Sequence, residues 1–222
     1  MNYTILLLAV TLPAAAQVAE KANEGYKTKE AREKVARGLS APDRDQRQKP
    51  KELVEAMSLR PGMTVADVGT GVGYMLPHLS AAVGPSGRIL AQDIQQDFLD
   101  SARNANKELG NVTYILGTTM DPKLPDDSVD VILALDAYHH FDYPEKMLAN
   151  LHKSLKPGGR LVIVDFYKRE GAMGGSGSRR ALEHIRLDEQ DAIKEIEANG
   201  FKFLSRREHI PNSQYMAIFE KN

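Results

Sequence analysis

Between Thr64 and Phe166, short strand-like runs alternate with helix-like segments, and this alternation restricts the fold more than any other feature of the chain. Thr64–Val68 reads as a strand, followed by glycines and a helix that runs through Val83. Arg88–Gln92 is a second strand, closed by Asp93; Gln95–Leu109 is a helix and Asn111–Leu116 a third strand. Val129–Leu135 has the character of a strand buried on both faces. A helix over Tyr143–Leu155 opens on Pro144 and Glu145, and the turn Lys156-Pro157-Gly158-Gly159 leads into a strand over Arg160–Phe166. Strands joined through helices run parallel, with the helices laid on both faces of the sheet. The end of the chain departs from this. A glycine-rich loop, Gly171–Ser178, precedes a helix over Asp188–Asn199, with Asp188 as N-cap and Gly200 just past its end. Two strands follow, Phe201–Glu208 and Gln214–Glu220, joined by a short Pro-Asn-Ser turn.

The first strand and first helix are joined by Val65-Ala66-Asp67-Val68-Gly69-Thr70-Gly71-Val72-Gly73. Glycines at this junction let the backbone turn sharply and let a ligand approach the main chain, while the following helix offers free N–H groups. In open parallel sheets ligands bind beyond the carboxyl ends of the strands, where the strand order reverses. The spacing is GxGxG rather than the GxGxxG of pyrophosphate-binding dehydrogenases, and an ordinary tight turn has the same composition. Asp93 adds weight. It closes the second strand 20 residues past Gly73, where a carboxylate accepts from ribose hydroxyls; its alternative role is to cap the helix that starts near Gln95.

Charge and composition narrow the function. With 29 basic and 30 acidic residues in 222, the formal charge is −1, which does not suit a whole-face grip on nucleic acid. No cysteine is present, so there is no disulfide framework, thiolate nucleophile, cysteine-ligated zinc or iron–sulfur cluster. Residues 1–16, MNYTILLLAVTLPAAA, have a short apolar run before Pro13 and Ala14-Ala15-Ala16. This is the pattern of a secretory signal peptide, without a basic n-region, and it is too short for a membrane span. The organisation expected is a signal peptide over 1–16, a polar helical cap over 17–60 and one domain over 61–222. The location expected is the periplasm or outside the cell, with the cytoplasm as the alternative.

The segments VADVGTGVGYMLPHL, AQDI, VDVILALDAYHH and LKPGGRLVIVDF, with the terminal hairpin, resemble the class I S-adenosylmethionine-dependent methyltransferases from about Lys51 to Asn222. Within that class the chain is similar to the small-molecule enzymes that include the ubiquinone and menaquinone C-methyltransferases. It is similar also to a bacterial group with leader peptides and a DRDxxQKP stretch, here Asp43–Pro50. The resemblance implies an α/β, Rossmann-like three-layer sandwich: a seven-stranded, mostly parallel sheet with its last strand antiparallel. It implies S-adenosylmethionine as cofactor, held by Asp67, Gly69, Thr70, Gly71, Gly73, Asp93, Ile94, Thr118 and Asp136. Asp67 faces the methionine ammonium, the glycines lie beneath the methionine and ribose, Asp93 takes the ribose hydroxyls and Asp136 faces the sulfonium side. One departure is that Thr118 stands where the family has an Asp for the adenine amine, in a Gly117–Pro125 stretch about two residues longer than usual, with Asp121 as a substitute.

Methyl transfer from a sulfonium is an in-line displacement in which the protein supplies alignment and exclusion of water. A general base is needed only where the acceptor carries a proton. Tyr138, His139 and His140, with Asp136 and Tyr143 nearby, are the candidates. No further acidic or histidine residue has metal-ligand spacing to the histidine pair, so no metal is expected. Tyr26, Arg44 and Arg47, with Arg179, Arg180, His184 and Arg186, are expected to close the acceptor pocket, and their charge suits an anionic acceptor. A small-molecule acceptor is expected and nucleic acid is not; the oligomeric state is left open. The rivals are a dinucleotide-binding oxidoreductase, a cofactor-binding module without catalysis, and a methyltransferase acting on protein. An exported protein must also meet a cofactor that is made in the cytosol.

Overall fold

The structure, a computed structural model, describes residues 17–222; the leader-like segment 1–16 lies outside the described residues. Four short helices come first: α1 (Glu20–Asn23), α2 (Lys29–Leu39), α3 (Arg44–Gln48) and α4 (Pro50–Met57), with a 3₁₀ turn over Glu24–Tyr26. The polar cap expected over 17–60 is thus interrupted at Thr28, between the 3₁₀ turn and α2. That residue takes an extended backbone and caps α2, its Oγ1 accepting the Ala31 N–H at 3.2 Å. Then come β1 (Thr64–Val68), α5 (Leu76–Val83), β2 (Arg88–Asp93), α6 (Gln96–Ala105), β3 (Val112–Leu116) and β4 (Val129–Leu135). The chain ends with α7 (Pro144–Ser154), β5 (Leu155–Phe166), α8 (Arg180–His184), α9 (Glu189–Ala198), β6 (Phe201–Ile210) and β7 (Gln214–Lys221).

Among the described residues, seven strands form one sheet in the order β3-β2-β1-β4-β5-β7-β6. The last strand, β7, is antiparallel to both its neighbours, and the pairs from β3 to β5 are parallel. The order reverses between β1 and β4, which opens a crevice at their carboxyl ends. The sheet is covered on two sides. Leu148 and Leu151 of α7 and Ile196 of α9 belong to one apolar cluster, and Leu76 and Leu79 of α5 to the other. Leu53 and Met57 of α4 are fully buried in the second cluster, alongside Val65 of β1, so α4 is a structural helix of the sheet's own core.

Two local details differ from the sequence reading. Lys156–Gly159 is a bulge at the start of β5, where Val129 pairs Leu155 but Val131 pairs Arg160. The charged residue within β4, Asp130, is satisfied there: it accepts the Thr64 N–H at 2.7 Å and Lys156 Nζ at 2.8 Å. Asp188 occupies the N-cap position of α9 but does not cap it, because its carboxylate accepts the Lys168 N–H at 3.2 Å.

Candidate active site

The loop after β1 is fixed from below by the end of β2. Gly69 and Thr70 both donate their N–H groups to the Gln92 carbonyl, each at 2.9 Å. Asp93, buried at the end of β2, then spends one carboxylate oxygen on the Gly71 N–H and the other on the Gln95 N–H, both at 2.9 Å. Its two possible roles are therefore not exclusive. It ties the glycine loop to the start of α6, and it stands in the wall of the crevice with acceptor capacity left on both oxygens.

The three loop glycines have different surroundings. Gly69 and Gly71, with φ of 75° and 56°, line the crevice. A Cβ on Gly69 would lie 2.7 Å from Ala137 Cβ, and one on Gly71 would lie 3.1 Å from Leu39, two residues of the same wall. Gly73, at φ 82°, faces away. Its Cβ would meet Asn106, Ala102 and Leu76 at 2.6–2.9 Å, and its carbonyl accepts from Asn106 Nδ2 at 3.2 Å. Contrary to the sequence reading, Gly73 serves close packing of the loop on α6 rather than ligand approach.

The crevice is a cavity of about 440 Å³. Gly69, Thr70, Gly71, Asp93, Ile94 and Asp136 line it, and so does His140. Asp67, Gly73 and Thr118 are not part of its wall. Asp67 is buried behind the loop, accepting the Thr70 hydroxyl at 2.7 Å. The Thr118 hydroxyl accepts the N–H groups of Met120 and Asp121 at 3.3 and 3.0 Å, which folds the longer 117–125 stretch back on itself and leaves Thr119 at the wall. Asp121 is held by Lys123, 2.7 Å from its ammonium, and is also absent from the wall.

Asp136 follows β4 in the left-handed region (φ 52°), which Asp tolerates better than most residues. One carboxylate oxygen accepts from Gln214 Nε2 at 2.6 Å and the other from Gln48 Nε2. The Asp43–Pro50 stretch now has a physical explanation. A left-handed Lys49 turns α3 into α4 and seats Gln48 on Asp136, while Arg44 is buried over the Tyr74 ring with its carbon Cζ 4.0 Å from the centroid. Arg47 is instead paired with Asp43 in solvent, and Arg186 is paired with Glu195, so neither belongs to the cavity wall as expected.

Burial raises the carboxyl groups of Asp67 and Asp93 to about 6 and that of Asp136 to about 7, the last with help from the charge of Asp165. Their ordinary value is 3.8, so between about pH 4 and 7 the folded state holds protons that the unfolded state has released. The stability these groups contribute is complete below that window and lost as pH rises through it. Asp136→Asn should therefore flatten the fall in melting temperature between pH 5 and pH 8. The substitution is accommodated, because the oxygens of Gln48 and Gln214 lack partners and either amide can turn to accept from the new NH₂. Parallel melting curves of the two proteins with identical slopes would refute this.

The three residues expected to be catalytic separate in space. Tyr138 is 2% exposed in the core, and its hydroxyl donates to Glu195 Oε1 at 2.5 Å beside Arg186. It is a strut between the β4 loop and α9. Tyr138→Phe is expected to cost about 0.5–1.5 kcal/mol of stability and to leave cofactor affinity unchanged, measured by denaturant unfolding and calorimetry. His139 is buried, its Nδ1 2.6 Å from Asp165 Oδ1 and its backbone N–H on the other oxygen of Asp165 at 2.9 Å. His140 alone reaches the cavity. Asn23 Nδ2 donates to the His140 carbonyl and to Asp142, so Asn23 Oδ1, 2.8 Å from His140 Nδ1, accepts. The Nδ1 atom therefore carries the proton, and Nε2 accepts from the Tyr26 hydroxyl at 3.4 Å. Burial holds His140 well below the usual histidine range, so the ring is neutral. His184, 44 residues further along the chain, packs edge-on against both rings, at 5.0 Å from His139 and 5.3 Å from His140 between centroids. The histidine pair thus has a third partner, which sequence spacing did not reveal.

Residues 66–163 match the family model of a methyltransferase domain. Over 118 residues the chain is 31% identical to the ubiquinone/menaquinone biosynthesis C-methyltransferase UbiE of Vibrio campbellii, a match spanning 52% of this chain and 46% of that protein. The chain thus spans about half the length of the curated relatives it matches. A solved S-adenosylmethionine-dependent methyltransferase from Aquifex aeolicus superposes with a TM-score of 0.77 at 27% identity, over 85% of this chain and 98% of that one. A TehB-like methyltransferase from Corynebacterium glutamicum shares the fold, with a TM-score of 0.63 at 22% identity, over 88% of this chain and all of that one. Fold, strand order and glycine loop define a Rossmann-like, nucleoside-binding domain. In particular, residues 66–163 match a methyltransferase domain, and the chain has the fold of a solved S-adenosylmethionine-dependent methyltransferase.

The wall fits that cofactor. A carboxylate with spare acceptor capacity suits ribose hydroxyls, a side-chain-free loop suits close backbone approach, and the exposed Ile94 beside Phe98 offers an apolar face for a flat base. Ionised Asp93 is the better acceptor. Cofactor affinity should therefore fall as pH drops through about 6 and level off above 7, as calorimetry across pH 5–8 would show.

Proposed function

We propose that the protein transfers the methyl group of S-adenosylmethionine to a small-molecule acceptor held under the N-terminal cap. The observation that carries this reading is the N-terminal cap, which lines one side of a half-open cavity. Tyr26 and Leu39, with the buried Arg44, stand over the glycine loop, Asp93 and Asp136. A half-open space of about 440 Å³ suits a small ligand better than a protein surface or a duplex. The matched relatives named for ubiquinone and menaquinone synthesis support the same class of acceptor.

In this reading Asp93 holds the ribose hydroxyls, Gly69 and Gly71 lie beneath the amino-acid part, Ile94 covers the adenine and Asp136 faces the sulfonium side. The cofactor supplies a methyl group already activated on a cationic sulfur. The cap excludes water from the crevice, and the loop with Asp136 fixes the line of approach. The loop, Asp93 and Asp136 would hold the cofactor so that this methyl group passes to the acceptor's lone pair, with the electron pair of the broken carbon–sulfur bond left on sulfur. Where the acceptor carries a proton, His140 Nε2 is the group placed to accept it.

The test is incubation with methyl-labelled cofactor and extracts separated into small-molecule, protein and nucleic-acid fractions. Label in the small-molecule fraction supports the reading, and label confined to protein or nucleic acid overturns it. Export is proposed alongside, from residues 1–16. Sequencing of the native N-terminus should start near Gln17, and an intact Met1 would overturn it.

A further inference from the structure

We propose that His139, His140 and His184 form a three-imidazole site for one divalent transition metal ion, with zinc as the reference ion. One ring nitrogen from each lies within 4.8 Å of the others. Tetrahedral zinc with bonds of about 2.0–2.1 Å needs its nitrogens about 3.4 Å apart, so the rings must close by roughly an ångström. His184 is free to supply that movement. It ends the five-residue helix α8, just after the loop Gly171–Ser178, and is partly exposed.

The surroundings are those of a metal site rather than of three stacked rings. Metal-binding histidines characteristically donate their other ring N–H to a carboxylate or carbonyl oxygen, which fixes the tautomer and aims the free nitrogen. Two of the three rings do this. His139 Nδ1 is held by Asp165, itself 2% exposed, and His140 Nδ1 by Asn23 Oδ1. That leaves the Nε2 atom of each ring as the ligand nitrogen. The Tyr26 hydroxyl, 3.4 Å from His140 Nε2, makes a long contact that an ion would replace. Asp165 places a negative charge behind the cluster, against the ion's two positive charges. Three imidazoles with no thiolate select zinc and its first-row neighbours over magnesium or calcium, which prefer oxygen ligands. His140 belongs to the cavity wall, so the ion's remaining position opens toward the cavity, where an oxygen of a bound molecule or water completes the shell. The site stands on its own geometry and does not require the methyl-transfer reading; when the ion is bound, His140 Nε2 is its ligand, and the base role given above belongs to the metal-free protein.

The experiment uses the full chain without a histidine tag, stripped with a chelator and titrated with Zn²⁺ by calorimetry and with Co²⁺ by visible absorption. One equivalent should bind, with the intense visible bands of four-coordinate cobalt. His184→Ala should weaken binding at least about tenfold, and Asp165→Asn by about 10- to 100-fold. His78→Ala, which removes a histidine stacked on Tyr74 outside the cluster, is the control and should change nothing. Because buried His139 is a poor site for substitution, the decision rests on partly exposed His184, with circular dichroism reporting the fold and S-adenosylhomocysteine binding reporting the cofactor crevice separately. Absence of a stoichiometric ion, or unchanged affinity in folded His184→Ala, overturns the proposal.

Discussion

Asp93→Ala is expected to lower affinity for S-adenosylmethionine by about 10- to 100-fold, because charge-assisted bonds to two hydroxyls are worth roughly 1.5–3 kcal/mol. From its place in the sequence alone, the residue would be a ligand carboxylate with little bearing on stability. The structure changes that expectation. The same carboxylate satisfies the buried Gly71 N–H and the Gln95 N–H, and an alanine leaves both without a partner. Unsatisfied buried donors cost about 1–3 kcal/mol each, so with two of them the unfolding free energy should drop by about 2–6 kcal/mol. Both quantities are to be measured on the one variant, by calorimetry well below the melting temperature and by denaturant unfolding. Lost affinity with wild-type stability would show that the two N–H groups find other partners. Lost stability with wild-type affinity would remove Asp93 from the cofactor site.

The second large effect separates two glycines that look equivalent on paper. Gly73→Ala should cost about 2–5 kcal/mol of stability. Left-handed backbone costs a residue with a Cβ about 1–2 kcal/mol, and overpacking typically adds about 1–3 kcal/mol. The new methyl would meet Ala102 Cβ and Leu76 Cδ1 at 2.9 Å and Asn106 Nδ2 at 2.6 Å, all inside the packed junction with α6. Gly71→Ala has a similar backbone angle but a single near neighbour, Leu39 at 3.1 Å, at the edge of the cavity. Its stability cost should stay near the backbone term of about 1–2 kcal/mol, while cofactor affinity falls because the methyl occupies the space of ligand approach. Thermal melts with and without S-adenosylhomocysteine distinguish them: the Gly73 variant melts lower but is still stabilised by ligand, and the Gly71 variant loses the ligand-induced shift. Equal melting temperatures would show that the two positions are packed alike.

The sequence by itself determined the sheet, its parallel strands and antiparallel last strand, the position of the crevice, and the membership of Gly69, Gly71, Asp93 and Asp136 in it. The parallel strands, the crevice, Gly69, Gly71 and Asp93 follow from local patterning, while the antiparallel last strand and Asp136 follow from the resemblance to the methyltransferase family. Hydrophobic period, glycine punctuation and strand-end carboxylates act over spans of a few residues, and the sheet repeats them in register. Tertiary structure alone decided the direction in which each side chain points and what it meets. Tyr138 turns into the core because Glu195, 57 residues away, accepts its hydroxyl. Gly73 turns from ligand to helix because α6 packs against it. Thr118 folds its own loop back, and Thr119 takes the wall. Arg44 and Gln48 reach the strand ends only through the left-handed turn at Lys49, and His184 joins His139 and His140 only after the sheet and α8 are assembled. The physical reason is common to all of these. A side chain's partner is fixed by packing between segments far apart in the chain, and that information is distributed over every residue of both segments, so no short motif contains it.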